Sequence, residues 1–245
     1  MKFNHAIKRA ISTTLTVSVL VACSGGGSDA TAPGETTTGG TEGGTTTTTT
    51  DGSTITLVTT TCSPAPALPS QYSRVFKGCD SSGVAQYYDL TECVRDNNTG
   101  LIWQGQTPAG SGLRANDQIK TNFDSTSGNQ NQNGGSPIPA TDAQIADVSN
   151  SIGFKNAVNG TNLCGSNAWR LPTQEELMVI VKTTETPAID NAWFPNTANK
   201  AYWTSTPGTS SASGAFFVHF QIGNLGYHYR NNNSGTNQNL VRLVH

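Results

Sequence analysis

The sequence predicts an α+β domain with two short helices and mostly antiparallel strands, preceded by a disordered tether. Three observations carry this. Thr141 and Thr173 stand three residues ahead of Gln144 and Glu176, the spacing at which a cap hydroxyl and an N3 side chain satisfy each other's backbone donors at a helix start. The last third is dense in strand formers, and Gly223-Asn224 divides two such runs as a hairpin signal does. Residues 24–61 are dominated by Gly, Thr and Ser, with six threonines at 45–50. They lack the apolar side chains needed to offset the entropy of ordering a chain.

From the N-terminus, residues 1–22 read as a targeting segment. Lys2, Lys8 and Arg9 precede a short apolar run at 10–21, too short to span a bilayer. It ends in Leu20-Val21-Ala22-Cys23, which resembles a bacterial lipobox, with Cys23 as the lipidated residue after cleavage. A plain secretory signal with a chance cysteine is the alternative. Ser24 rather than Asp after the cysteine points to the outer membrane. Residues 23–61 then form the lipidated, Gly/Thr-rich tether, which as a random coil spans roughly 35 Å root-mean-square. The expected location is the bacterial outer membrane, lipid-anchored and surface-exposed.

Residues 62–245 are enough for one core. Stretches 84–90 and 92–95 read as strands, Asp96-Asn97-Asn98-Thr99-Gly100 as an Asx-type turn rather than a calcium loop, and 101–104 as the returning strand. Residues 105–140, rich in Asn, Gln and Gly, read as a long surface loop. Ile145, Val148 and Ile152 lie at helical spacing after Thr141, and Leu177, Ile180 and Val181 after Thr173. Pro172 disfavours helix at Leu171, so an extended strand ends there before the second helix begins. In the terminal hairpin the expected register sets His219 against His228 and Phe220 against Tyr227. Phe216, Val218 and Phe220 share the expected core face, with Phe217, His219 and Gln221 on the other. Residues 240–244 read as the closing strand.

Several strings resemble one family in the order in which they occur. Trp169-Arg170-Leu171-Pro172-Thr173 with Glu176-Leu177 is similar to the WRLPT-x-x-EL signature of the Lcl C-terminal domain family of bacterial surface lipoproteins and adhesins. Asp96 to Gln104 resembles its D-x-x-TGL-x-WQ opening. Ile189-Asp190 through Trp193-Phe194-Pro195, Tyr202-Trp203-Thr204-Ser205-Thr206, and Val241-Arg242-Leu243-Val244 resemble later blocks. The resemblance spans roughly 93–245 and implies a C-type-lectin-like fold and a ligand on the cell exterior. Trp103, Trp169, Arg170, Leu171, Pro172, Trp203 and Arg242 are then scaffold residues, with both arginines bonded internally.

With Cys23 assigned to lipid, Cys62, Cys79, Cys93 and Cys164 remain, an even number in an oxidising compartment. Three pairings are open. Cys62–Cys79 with Cys93–Cys164 is the favoured one, which ties the first family-like strand to the segment before Trp169. Free thiols or a four-cysteine metal site are the alternatives, and the absence of any C-x-x-C speaks against the metal.

No enzyme signature is present: no P-loop, G-x-S-x-G or H-E-x-x-H. The formylglycine-generating enzymes carry a similar string, but their chemistry needs cysteines late in the chain, and none follows Cys164. The calcium-lectin triplets are absent too. A net charge of −2 with scattered lysines and arginines gives no footprint for nucleic acid. No cofactor and no metal is expected. The candidate binding residues are Asn224, Tyr227, His228, Tyr229, Arg230, Asn231, Asn232, Asn233, Asn237 and Asn239, a crowd of aromatic and amide side chains suited to a glycan or a protein ligand. Asn codons of the AAY type are preferred targets of diversity-generating retroelements, and Tyr and His codons lie one adenine change away. The terminal run therefore also fits a variable protein of such an element. An envelope protein that contacts cell wall or neighbouring subunits is the alternative, and an enzyme a more distant one. The sequence leaves the oligomeric state open.

Overall fold

The computed structural model describes residues 45–50, 53–58, 62–64, 70–126, 138–208, 213–231 and 239–245. The signal segment, Cys23 and most of the expected tether lie outside the described residues. Within that tether, β1 (Thr45–Thr50) and β2 (Ser53–Val58) pair as a two-stranded sheet. The β-branched Thr, Ile and Val of these segments suit extended backbone.

The α+β expectation holds for the remainder. Strands β3 (Tyr72–Arg74), β6 (Cys93–Asp96) and β7 (Ile102–Gln104) form one antiparallel sheet in the order β3-β6-β7. Strands β4 (Phe76–Cys79) and β5 (Ala85–Tyr87) make a small two-stranded sheet. Strands β8 (Ala201–Pro207), β9 (Gly214–His219) and β10 (Asn224–Tyr229) form the third, in the order β10-β9-β8. Between them lie α1 (Asp142–Ala146), α2 (Ser151–Gly160) and α3 (Gln174–Val179).

Both predicted capping boxes are present, at Thr141/Gln144 and at Thr173/Glu176. The helical run after Thr141 is broken where one helix was expected. Asp147 turns the chain out of α1 by taking Ser149 N–H and Oγ at 2.7 and 2.6 Å. Buried Asn150 then opens α2 while its side chain bonds Phe123 and Ile145. The Asx turn at 96–100 is as expected, with Asp96 Oδ1 accepting from Asn98 N–H at 3.0 Å and Gly100 at φ 78°.

Period-2 alternation distributes the apolar residues between two cores on opposite sides of the β8–β9 sheet. Tyr202, Val218, Phe220, Leu240 and Val244 join Trp103, Leu177, Ile180, Ile189 and Phe194 in one. Ala201, Trp203, Ala215, Phe217, Val241 and Leu243 join Cys93, Phe154 and Trp169 in the other. The expectation of a single buried face on β9 is corrected here: Phe217 is core and Phe216 only half-buried. The closing segment forms no ladder either. Residues 240–244 make isolated bridges, Leu240 to Tyr202 and Val244 to both Trp103 and Arg170, because they run between elements that belong to different sheets.

Arg242 stitches this junction. Fully buried, it donates to Gln104 O at 2.8 Å, Gln106 Oε1 at 3.0 Å and Thr197 Oγ1 at 2.7 Å, and stands over the rings of Phe194 and Tyr202. Arg170 is exposed and grips Glu176 through two nitrogens at 2.7 and 2.6 Å. The same Glu176 accepts Thr173 N–H at 2.8 Å, so the capping box and the ion pair share one carboxylate. Both arginines are thus bonded internally. The favoured cysteine pairing, Cys62 with Cys79 and Cys93 with Cys164, is the one found, at Cα separations of 6.2 and 6.6 Å.

Candidate functional site

Among the described residues the terminal hairpin presents β10 as an edge strand, paired to β9 alone. Its register differs from the expected one. Asn224 faces His219, Tyr227 faces Phe216 and His228 faces Ala215. The turn is therefore four residues long, 220–223, rather than the Gly223-Asn224 pair. The reason lies outside the hairpin: Phe220 N–H is bound by Lys200 O at 2.9 Å, and Phe220 O accepts Ala188 N–H at 2.6 Å. That removes Phe220 from the β9–β10 ladder and seats its ring in the core. Gly223 closes the turn at φ 73°, and its N–H reaches His219 O at 2.8 Å. A side chain there would meet Val181 at 2.6 Å as well as the backbone cost of positive φ.

Alternation along β10 splits the candidate residues between two faces. His219, Asn224, His228 and Arg230 share the face that looks toward Phe217 and Trp203. His228 lies 4.0 Å from the Phe217 ring centroid, and its Nδ1 bonds Asn239 Oδ1 at 2.9 Å. Burial lowers the His228 pKa, a shift opposed by the Asn239 bond and reinforced by His219; burial lowers that of His219 as well.

Arg230 is only 3% exposed. It pairs with Asp124 at 2.9 Å and donates to Asn122 O at 2.8 Å. Asn239 is fully buried. These two residues were expected on the ligand-facing surface, and the structure turns both inward.

The element that covers them is the stretch expected to be a surface loop, which is corrected over its described part. Lys120 O accepts Trp203 Nε1–H at 2.7 Å, Lys120 N–H reaches Asn239 O at 2.9 Å, and Asn122 N–H reaches Arg230 O at 2.8 Å. Asn122 also donates to Thr204 O and accepts from Ser151, at 3.1 and 2.6 Å. Polar side chains build this seal, so no hydropathy pattern announces it.

The opposite face carries Leu225, Tyr227 and Tyr229 on β10 beside Phe216 on β9. Tyr227 stands 6.3 Å from Phe216 and 6.2 Å from Tyr229, edge to face in both cases. Gly214 makes room, because a Cβ there would strike the Tyr227 ring. Tyr229 is 45% and Leu225 38% exposed, and Phe216 and Tyr227 are half-buried.

Of the ten candidate residues, Tyr227 and Tyr229 come together on this rail, Asn224 is exposed at the turn, and Asn231 is half-buried. Asn232, Asn233 and Asn237 lie outside the described residues. Phe216 and Leu225 belong to the rail and were absent from the sequence-derived set. Their signal was their place opposite and beside Tyr227, legible only once the register is known. Among the described residues no three His, Cys, Asp or Glu side chains gather to hold a metal ion.

The molecule is thus a mixed α+β domain whose closing segment joins two sheets and whose last hairpin offers an aromatic edge. The chain belongs to the Lcl C-terminal domain family, whose model matches residues 92–245. No match was found among curated proteins or among solved structures.

Proposed function

We propose that this chain is a lipid-anchored protein of the bacterial outer membrane that binds an external glycan or protein through the aromatic rail of its last hairpin. Membership of the Lcl C-terminal domain family supports a surface-associated role, and the family is not one of known enzymes. The observation that carries the binding reading is the rail itself. Phe216, Tyr227 and Tyr229 make a row of rings on an edge strand, with Tyr229 and Leu225 open to solvent. Tyrosines so placed offer wide contact area and a hydroxyl at small entropy cost.

A glycan array and a pull-down from target-cell extracts, comparing the native chain with Tyr229→Ala, test this. Ligand captured by the native chain and lost in the variant supports the rail. Equal capture by both moves the site elsewhere, and no capture with an oligomer that Tyr229→Ala dissociates favours the envelope role.

The retroelement reading is part of this proposal, and the fold narrows it. Arg230 and Asn239 are committed to internal partners, so variation is expected at Tyr227, Tyr229 and 231–237. A near-copy of the gene's final stretch, differing at adenines in those codons, is the expected genomic finding. A locus with neither copy nor reverse transcriptase removes the idea.

A further inference from the structure

Away from the hairpin, a cleft of ≈ 370 Å³ opens between the turn that leads into β6 and the short 3₁₀ turn Leu163–Gly165. Its size is at the lower end for small-molecule sites. Two groups of opposite charge line it, Glu92 and Arg114. They form no ion pair with each other, and each is only partly spent on the protein.

Arg114 uses Nη1 alone, donating to the carbonyls of Thr91 and Gly105. That clamp fixes the guanidinium and leaves Nε and Nη2 without a hydrogen bond among the described residues. Glu92 uses Oε2 alone, accepting Asp89 N–H at 2.9 Å. The Asn162 side-chain amide, which makes no hydrogen bond among the described residues, lines the same cleft, with Ser111 and the half-buried ring of Tyr88.

The wall at Asn162 is held in an uncommon shape. Asn162 and Cys164 both sit at φ 52°, the left-handed region that side-chain-bearing residues seldom adopt. The Cys93–Cys164 bridge pins this wall to β6, next to Glu92. The geometry is therefore fixed by covalent and hydrogen-bonded ties.

We propose that this cleft binds a small zwitterion of the free α-amino-acid class, with its carboxylate on Arg114 and its ammonium on Glu92. A guanidinium with an unused edge suits a carboxylate, and charge-assisted hydrogen bonds are the stronger kind. A lone anion meets Glu92 unfavourably and a lone cation meets Arg114 unfavourably, whereas a zwitterion satisfies both and adds no net charge. A neutral sugar fills hydrogen bonds but brings no charge to either group, which then have only their mutual attraction across the cleft. This site is separate from the rail, so either reading can fail alone.

The test is calorimetric titration of the purified full chain with glycine, L-serine, L-glutamine and L-phenylalanine. Controls are N-acetylglycine, glycine ethyl ester, glucose and N-acetylglucosamine. At least one free amino acid should bind, and blocking either end should weaken binding about tenfold or more. Glu92→Gln should do the same without changing the thermal midpoint, and Arg114→Lys should weaken binding further because it also loses the clamp. Tyr229→Ala should bind the amino acid like the native chain. The proposal is overturned if no amino acid binds up to about 10 mM, if the blocked forms bind equally well, if only the sugars bind, or if Glu92→Gln binds unchanged.

Discussion

The two faces of the β9–β10 hairpin carry similar residues and have opposite fates. On one, His228, Arg230 and the neighbouring Asn239 are drawn into bonds with Asn122, Asp124 and the Phe217 ring. On the other, Tyr227 and Tyr229 keep an open edge. Adjacent residues of one strand thus divide between holding the fold together and facing out. The difference comes from what covers each face. The 120–124 segment brings a backbone carbonyl and a carboxylate to Arg230 and a second carbonyl to the Trp203 indole. Nothing among the described residues covers Tyr229 to the same extent. Polarity alone does not mark a binding residue here, because polar side chains also build the seal.

The largest effect is expected at Arg230. Arg230→Ala removes the ion pair to Asp124 and the donor to the Asn122 carbonyl and should cost about 3 kcal/mol, since breaking a largely buried charged pair from one side is strongly destabilising. Chemical denaturation checks this; a cost near zero would mean the inward face is not what holds the hairpin.

Gly226→Ala is the next test. Its Cβ would strike the Phe217 ring, and overpacking of this kind should cost about 2 kcal/mol. Thermal unfolding reads it.

A pH series sharpens the contrast further. Burial holds the pKa of His228 and of His219 below the ordinary 6.5. The unfolded chain therefore binds more protons as pH falls through that value, and stability is full above it and declines below it. The thermal midpoint should drop as the solution is acidified from neutral, and His228→Gln should flatten part of the slope. An unchanged slope in that variant would assign the effect to His219, to His245, whose pKa burial also lowers, or to the carboxylates.

The smallest stability effect belongs to the open face. Tyr229→Ala should stay within about 0.5 kcal/mol of the native chain, as substitutions of exposed residues generally do. A loss of several kcal/mol there would show that the rail is structural.

Much of the scaffold was legible. Thr141 and Thr173 announced two helix starts because a capping box is local chemistry, complete within four residues. The Asx turn at Asp96 was readable for the same reason. The tryptophans at 103, 169 and 203 were readable as scaffold because each stands in a family-like string, and all three are buried. The candidate site was less legible. The hairpin register shifted because Phe220 is held by Lys200 and Ala188, residues about twenty and thirty positions away. Phe216 and Leu225 were missed with it. Arg230 and Asn239 were assigned outward because their partners lie in a segment without apolar signal.

The amino-acid sequence determined the helix starts, the turn at 96–100, the family signature and the stock of aromatic and amide side chains near the C-terminus. Each depends on neighbours in the chain. The three-dimensional packing determined which of those side chains are available to a ligand. Inward or outward orientation on a strand follows from register and from what lies across it. Here both were set by contacts between residues far apart in the chain, chiefly Phe220 with Ala188 and Lys200, and Arg230 with Asn122 and Asp124.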